Sequence, residues 1–306
     1  MKSVAPRAAA IFAIGTCLAW HACGGATGAP KQFRSKTLPH DPAISRDFTG
    51  RLLFLGTGTS VGVPVVGCHC DTCHSADPRD NRTRCGLIVG LPGGTLLVDT
   101  PTDLRTQLLR ERVDLVHAVL FTHDHADHVF GLDDLRLFPH YLGRRVPLYC
   151  EAKVEDRIRK SFDYAFNTDP ATTHAGAIPL LEFERIGTDP FELLGAKVVP
   201  IRLDHGRSQV LGFRFGDVAY CTDTNHIPDE SWPLLESLDV LILDALRPRP
   251  HATHFGLDQA IEVARRVGAK RTLFTHASHE LAHEATNRRL PSGMELAYDG
   301  LHIPLT

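Results

Sequence analysis

From Arg51 onwards the sequence is cut into short apolar runs separated by Gly, Pro and Asp: Leu52–Leu55, Leu87–Leu91, Thr95–Val98, Ala118–Phe121, Val146–Tyr149, Lys197–Ile201, Leu211–Phe215, Val218–Tyr220, Val240–Leu243 and Thr272–Phe274. Runs of this length bounded by turn residues read as buried strands. Helical patterns lie between some of them, at Pro101–Arg112, Glu151–Phe162, Pro228–Ser237 and Leu257–Val267. The first and third open with Pro and the last follows Gly256, which are helix-start signals. The predicted class is therefore mixed α/β, with helices covering sheets. No internal repeat, low-complexity tract or second domain boundary follows residue 50.

The N-terminal residues differ in texture. Lys2 and Arg7 precede a 13-residue apolar run, Ala8 to Trp20, and then Ala22-Cys23-Gly24-Gly25-Ala26. That is a signal-peptide layout over residues 1–29, too short to span a bilayer as a mature helix, and Cys23 also resembles a lipoprotein processing site. Residues 30–50, polar and carrying Pro39 and Pro42, read as a linker, and 51–306 as one domain. A mistaken start upstream of a cytosolic enzyme is the alternative.

What gives the pattern chemical meaning is where the runs end. Val98 leads to Asp99, Phe121-Thr122 to His123, Leu203-Asp204 to His205, Cys221-Thr222 to Asp223 and Phe274-Thr275 to His276. Function commonly sits on loops held by rigid strands. The chain holds 18 His among 306 residues, and the densest group is His123-Asp124-His125-Ala126-Asp127-His128, an HxHxDH motif. Three imidazoles and two carboxylates in six residues after a buried strand cannot all be core residues, because unpaired polar groups there cost several kcal/mol. Alternation puts His123 and His125 on one side of a tight loop, with Asp127 and His128 turned towards a neighbouring site. A formal net charge of -3 excludes a strongly basic nucleic-acid binder.

On these residues the chain resembles the metallo-β-lactamase-fold hydrolases, from about Arg51 to the C-terminus. HxHxDH is that family's signature, and His205, Asp223 and His276 follow in its order. The resemblance implies a four-layer αββα sandwich, two mixed sheets packed face to face with helices outside. It also implies two divalent ions, Zn²⁺ or Mn²⁺, one held by His123, His125 and His205 and the other by Asp127, His128 and His276, with Asp223 bridging. A bridging oxygen ligand is the pattern of the phosphodiesterase-like branch. Asp99 matches a carboxylate that orients ligands without binding metal.

A second constellation is Cys68-His69-Cys70-Asp71-Thr72-Cys73, with His279 three residues after His276. Three thiolates and one imidazole complete a tetrahedral structural Zn²⁺ site; a disulfide is the alternative that export would favour. The combination looks like phosphoribosyl cyclic phosphodiesterase (PhnP) of phosphonate breakdown and its relatives, including the pyrroloquinoline-quinone biosynthesis protein B group. In relatives the His of a Thr-His-Phe segment faces the metals, and by that match His254 is the general acid, with Asp127 the other candidate catalytic residue. His251 is as well placed for a supporting role. Gly256 stands where relatives often have Ser, which questions the cap of the next helix.

The activity implied is a metal-dependent phosphodiesterase acting on small cyclic or nucleotide-like diesters through a bridging hydroxide. Two alternatives are a non-hydrolytic or oxidative role in cofactor biosynthesis, and a tRNA 3′-processing endonuclease, for which no long basic insertion is present. The expected partner is a small phosphodiester and not a large nucleic acid, with membrane attachment only through a lipid on Cys23, and a homodimer is left open. The leader points to a periplasmic or lipid-anchored protein; zinc-binding thiolates favour the cytoplasm.

Overall fold

The apolar runs become strands because neighbouring side chains on a strand face opposite ways and both faces here are covered. The computed structural model describes residues 46–167 and 176–305; the leader and all but the last five residues of the proposed linker lie outside the described residues. In chain order the strands are β1 (Arg51–Gly56), β2 (Gly86–Leu91), β3 (Gly94–Val98), β4 (Ala118–Leu120), β5 (Val146–Cys150), β6 (Leu181–Arg185), β7 (Phe191–Leu193), β8 (Ala196–His205), β9 (Ser208–Phe215), β10 (Val218–Cys221), β11 (Val240–Asp244), β12 (Arg271–Thr275), β13 (Met294–Leu296) and β14 (His302–Pro304). They form two seven-stranded mixed sheets, ordered β14-β1-β2-β3-β4-β5-β6 and β13-β12-β11-β10-β9-β8-β7.

Alternation assigns each strand residue to one of three hydrophobic layers. Leu52 and Phe54 of β1, Leu87 and Val89 of β2, and Phe213 and Tyr220 of the second sheet pack between the sheets. Leu53, Leu55 and Ile88 point the other way, onto the outer face of the first sheet with Leu104, Leu108, Val154 and Ile158. Those four belong to helices α1 (Leu104–Glu111) and α3 (Ala152–Ser161). Leu241, Leu243 and Phe274 face outward from the second sheet onto Ala260 and Ala264 of α4 (Leu257–Val267). The result is the αββα order of layers. Each fully buried Leu, Ile or Phe contributes about 1.5–3 kcal/mol of burial, so the frame beneath the strand ends is rigid. Phe48 is also buried and Thr49 bridges to Gly90, so packing begins slightly before Arg51.

Strand direction then collects the polar residues. β3, β4 and β5 run parallel, as do β10, β11 and β12. β8 lies antiparallel to β9, which lies antiparallel to β10, so β8 and β10 also point the same way. The carboxyl ends of β4, β8, β10, β11 and β12 therefore present their following residues at one edge, where ligands bind in open α/β sheets. Among the described residues no helix is long and apolar enough to cross a membrane.

Candidate metal centre

The loop after β4 places His123 and His125, then turns into the short helix α2 (Ala126–Val129), which carries Asp127 and His128. His123, His125, His205 and Asp223 offer ligand atoms within 4.8 Å of one another, and so do Asp127, His128, Asp223 and His276. Asp223 belongs to both groups. Its Oδ2 lies 3.3 Å from His276 Nε2, 3.4 Å from His128 Nε2 and 3.8 Å from His123 Nε2. Asp124, inside the motif, points elsewhere and meets Arg157 at 3.4 Å.

Three of the five imidazoles are oriented by what their other nitrogen does. His128 Nδ1 donates to Asp99 Oδ2 at 2.8 Å, His205 Nδ1 to the Thr253 carbonyl at 2.7 Å, and His123 Nδ1 pairs with Thr122 Oγ1 at 2.9 Å. Asp99 also accepts from the Thr122 amide and hydroxyl, both at 2.8 Å. A proton fixed on Nδ1 leaves the lone pair on Nε2, the form that binds a metal. Asp99 holds φ at 62° and His276 at 58°. Both sit in the left-handed region that non-glycine residues avoid, as do Arg112, Leu194 and Ser237 away from the site.

A metal fits this donor set. The Nε2 atoms of His123, His128 and His276 are buried and have no hydrogen-bond partner. Such groups cost about 1–3 kcal/mol each when left unsatisfied. Charge points the same way. Burial opposes ionisation of His128, yet Asp223, Asp127 and Asp99 outweigh it and hold the imidazole well above its ordinary range. Burial likewise opposes charge on His276, but Asp223 leads the groups that push it up to about 9. The carboxylates thus demand positive charge, which a divalent cation supplies in place of protons.

His254 stands beside both groups. Its ring is 4.7 Å from that of His205 and 4.6 Å from that of His276, nearly parallel to the latter at 13°. Nδ1 bonds Asp244 Oδ2 at 2.7 Å, and the same oxygen accepts the Thr224 amide at 2.9 Å. Sequence reading missed Asp244. The signal was present, because the run Val240–Leu243 ends in Asp244 as the other runs end in theirs. His251 accepts from the Thr253 amide and hydroxyl through Nδ1, at 3.3 and 3.2 Å, and so shapes the approach to His254. The helix after it lacks a Ser cap, but Gln259 Oε1 accepts from the Gly256 amide at 3.0 Å. A Cβ on Gly256 would stand 2.9 Å from the Arg249 backbone. Gly is required there by the close passage of the chain.

Next to His125 and His205 an open pocket of about 530 Å³ is walled by Gly206, Arg207, Ser208, Ala252 and Thr253. Cys68, Cys70, Cys73 and His279 form a separate cluster, with the sulfurs 3.2, 3.3 and 3.6 Å from His279 Nδ1. These cysteines are free thiols, not disulfides. The Cys73 amide leads the interactions that lower the Cys70 thiol to about 6, towards the ligating thiolate form, while burial pushes the Cys73 thiol up to about 11.

Comparison with known proteins agrees with this architecture. A family model described as beta-lactamase superfamily domain matches residues 95–277. A diphosphatase from the PhnP family has a solved structure 45% identical to this chain, with a TM-score of 0.77, over 83% of this chain and 96% of that one. Zn²⁺-bound PqqB from Methylobacterium extorquens shares the fold at 19% identity, with a TM-score of 0.68 over 83% of this chain and 100% of that one. An octanoyltransferase of Porphyromonas gingivalis (strain ATCC BAA-308 / W83) is 38% identical over 255 residues, 82% of this chain but 51% of the relative, so the chain spans about half that relative's length. Two seven-stranded sheets, ligand-bearing strand ends and these matches together place the chain in the metallo-β-lactamase superfamily of hydrolases, in its PhnP-like branch.

Proposed function

We propose that this protein is a phosphodiesterase with a dinuclear metal centre, cleaving small cyclic or nucleotide-like phosphodiesters. Asp223 carries the proposal, because one buried carboxylate belongs to two complete ligand sets. His123, His125 and His205 would hold one Zn²⁺ or Mn²⁺ ion and Asp127, His128 and His276 the other, and the pair would supply Lewis acidity and a water acidic enough to lose its proton near neutrality. Cys68, Cys70, Cys73 and His279 would hold a structural Zn²⁺.

The remaining work falls to the protein. His254 gives a proton to the departing oxygen from Nε2 while Asp244 holds Nδ1 and stabilises the charged ring. Asp99, Thr122 and the Thr253 carbonyl fix three tautomers before substrate arrives, so no reorganisation is needed during the reaction. The pocket has the volume of a small-molecule site. Arg207 in its wall offers a planar fork of donors to an anionic group. Similarity to the PhnP-family diphosphatase supports phosphorus chemistry.

One observation favours a different substrate class. The relative in which this domain makes up about half the chain is an octanoyltransferase, which would suit hydrolysis of an octanoyl thioester or an octanoyl phosphoanhydride. Assaying the metal-loaded protein on 2′,3′-cyclic nucleotides, bis(p-nitrophenyl) phosphate, a nucleotide diphosphate ester and an octanoyl thioester separates the two. Chelator-sensitive cleavage of phosphodiesters is expected. Cleavage of the thioester alone would favour the second class, and cleavage of none would favour a non-hydrolytic role.

A further inference from the structure

Arg82 is buried, with its side chain 0% exposed, and lies outside both ligand sets. Its backbone pairs with Val63 through two hydrogen bonds of 2.7 and 2.8 Å. Val63 leads directly into the cysteine loop, where the Val65 amide donates to Cys73 Sγ at 3.3 Å. The guanidinium of Arg82 reaches the other way. It donates to the Ser278 carbonyl at 3.0 Å and the Leu281 carbonyl at 2.6 Å, one residue before and two residues after His279, and to Asp80 at 3.1 Å. Asp80 in turn accepts the His283 amide at 2.8 Å.

One residue therefore grips both halves of the cysteine–histidine cluster. The gripped segment is also the one that leaves the active centre. His276 is followed by Ala277, whose amide donates to the Thr57 carbonyl at 2.9 Å, and by Ser278, whose amide donates to the Leu246 carbonyl at 2.9 Å. The loop segments on the far side pass closely too, since a Cβ on Gly58 would sit 2.6 Å from the Arg82 carbonyl. His276 and His279 thus lie three residues apart on one segment held by these backbone hydrogen bonds.

We infer that Arg82 is a positioning residue that registers the cysteine loop against the His276–Leu281 segment, so that filling of the cysteine site and the geometry of the active centre are coupled. The inference rests on the metal reading of both clusters and not on the identity of the substrate. A planar fork spanning two carbonyls and a carboxylate is what Arg offers and Lys does not.

Cobalt-substituted protein tests it without turnover. With zinc kept in the cysteine site, checked by the absence of thiolate-to-cobalt charge-transfer bands, and cobalt loaded only into the His/Asp centre, ligand-field bands report that centre alone, while release of the zinc to a coloured chelator gives its retention. Arg82→Met should release zinc from the cysteine site at least about tenfold faster and change the ligand-field bands of the His/Asp centre, with Arg82→Lys between it and the native protein. Cys70→Ser, which leaves Arg82 alone, should change the same ligand-field bands. Native zinc retention in Arg82→Met, or native ligand-field bands of the cobalt-loaded His/Asp centre in Cys70→Ser after its zinc is lost, would overturn the coupling. If circular dichroism shows that Arg82→Met does not fold, Arg82→Lys and Asp80→Asn decide by the same two criteria. Failure to hydrolyse any diester would remove the proposed function and leave these spectra to judge Arg82.

Discussion

The two polar clusters lie near one another in sequence at His276 and His279, yet they are built on opposite plans. The His/Asp centre draws its members from the ends of β4, β8, β10 and β12, across both sheets, and three of its imidazoles are aimed by a separate partner. The cysteine cluster draws three members from one loop and folds them onto a single imidazole. The first has an open side with a pocket of about 530 Å³. The second offers four donors, the number with which a structural zinc site closes and leaves no position for a substrate. A centre that must react needs a rigid frame and a free face, whereas one that only fastens loops can make its own frame from the metal.

Substitutions should pull the two regions apart, most strongly at the shared carboxylate. Asp223→Asn removes the bridge, and loss of several kcal/mol of metal-derived stabilisation is about a thousandfold or more in kcat/KM for a cyclic nucleotide, while the cysteine cluster keeps its metal. His254→Ala should lower turnover about a hundredfold with metal content intact; unchanged turnover would remove it as the acid. Asp244→Asn should cost about tenfold to a hundredfold through misorientation of His254, and little more when combined with His254→Ala, because the two act as one unit. Gly256→Ser introduces a Cβ against the Arg249 backbone, so about 1–3 kcal/mol of stability should be lost, read as a lower Tm. The smallest effect is at the rim: Arg207→Ala should raise KM for anionic substrates a few-fold and spare kcat.

Most of this organisation was legible in the apolar runs, and what was not has a common cause. Each of the ten runs became a strand, because a strand buried on both faces reads as continuous hydrophobic sequence. The four strands that gave no such signal, β6, β7, β13 and β14, are the four sheet edges. An edge strand has one partner and a face in water, so Leu181–Arg185 reads Leu-Glu-Phe-Glu-Arg and looks like a loop. The helical pattern at Pro228–Ser237 is a 3₁₀ segment, Asp229–Leu235, since Pro233 inside it cannot donate to an α-helical ladder. Within the site, the HxHxDH motif and the later His and Asp residues announced themselves by crowding and by position at strand ends. Asp244 did not, because a single carboxylate after a run is ordinary until its 2.7 Å contact with His254 is seen. Arg82 was invisible for the same reason, its partners being backbone carbonyls almost two hundred residues away.

The most direct measurement is elemental analysis of metal per chain for native protein and Asp223→Asn, run beside cyclic-diester turnover. Three ions in the native protein are expected, falling to one in the variant as turnover disappears. A native count of one or none at saturation, or a variant that keeps all its ions and its turnover, would contradict a dinuclear centre bridged by Asp223.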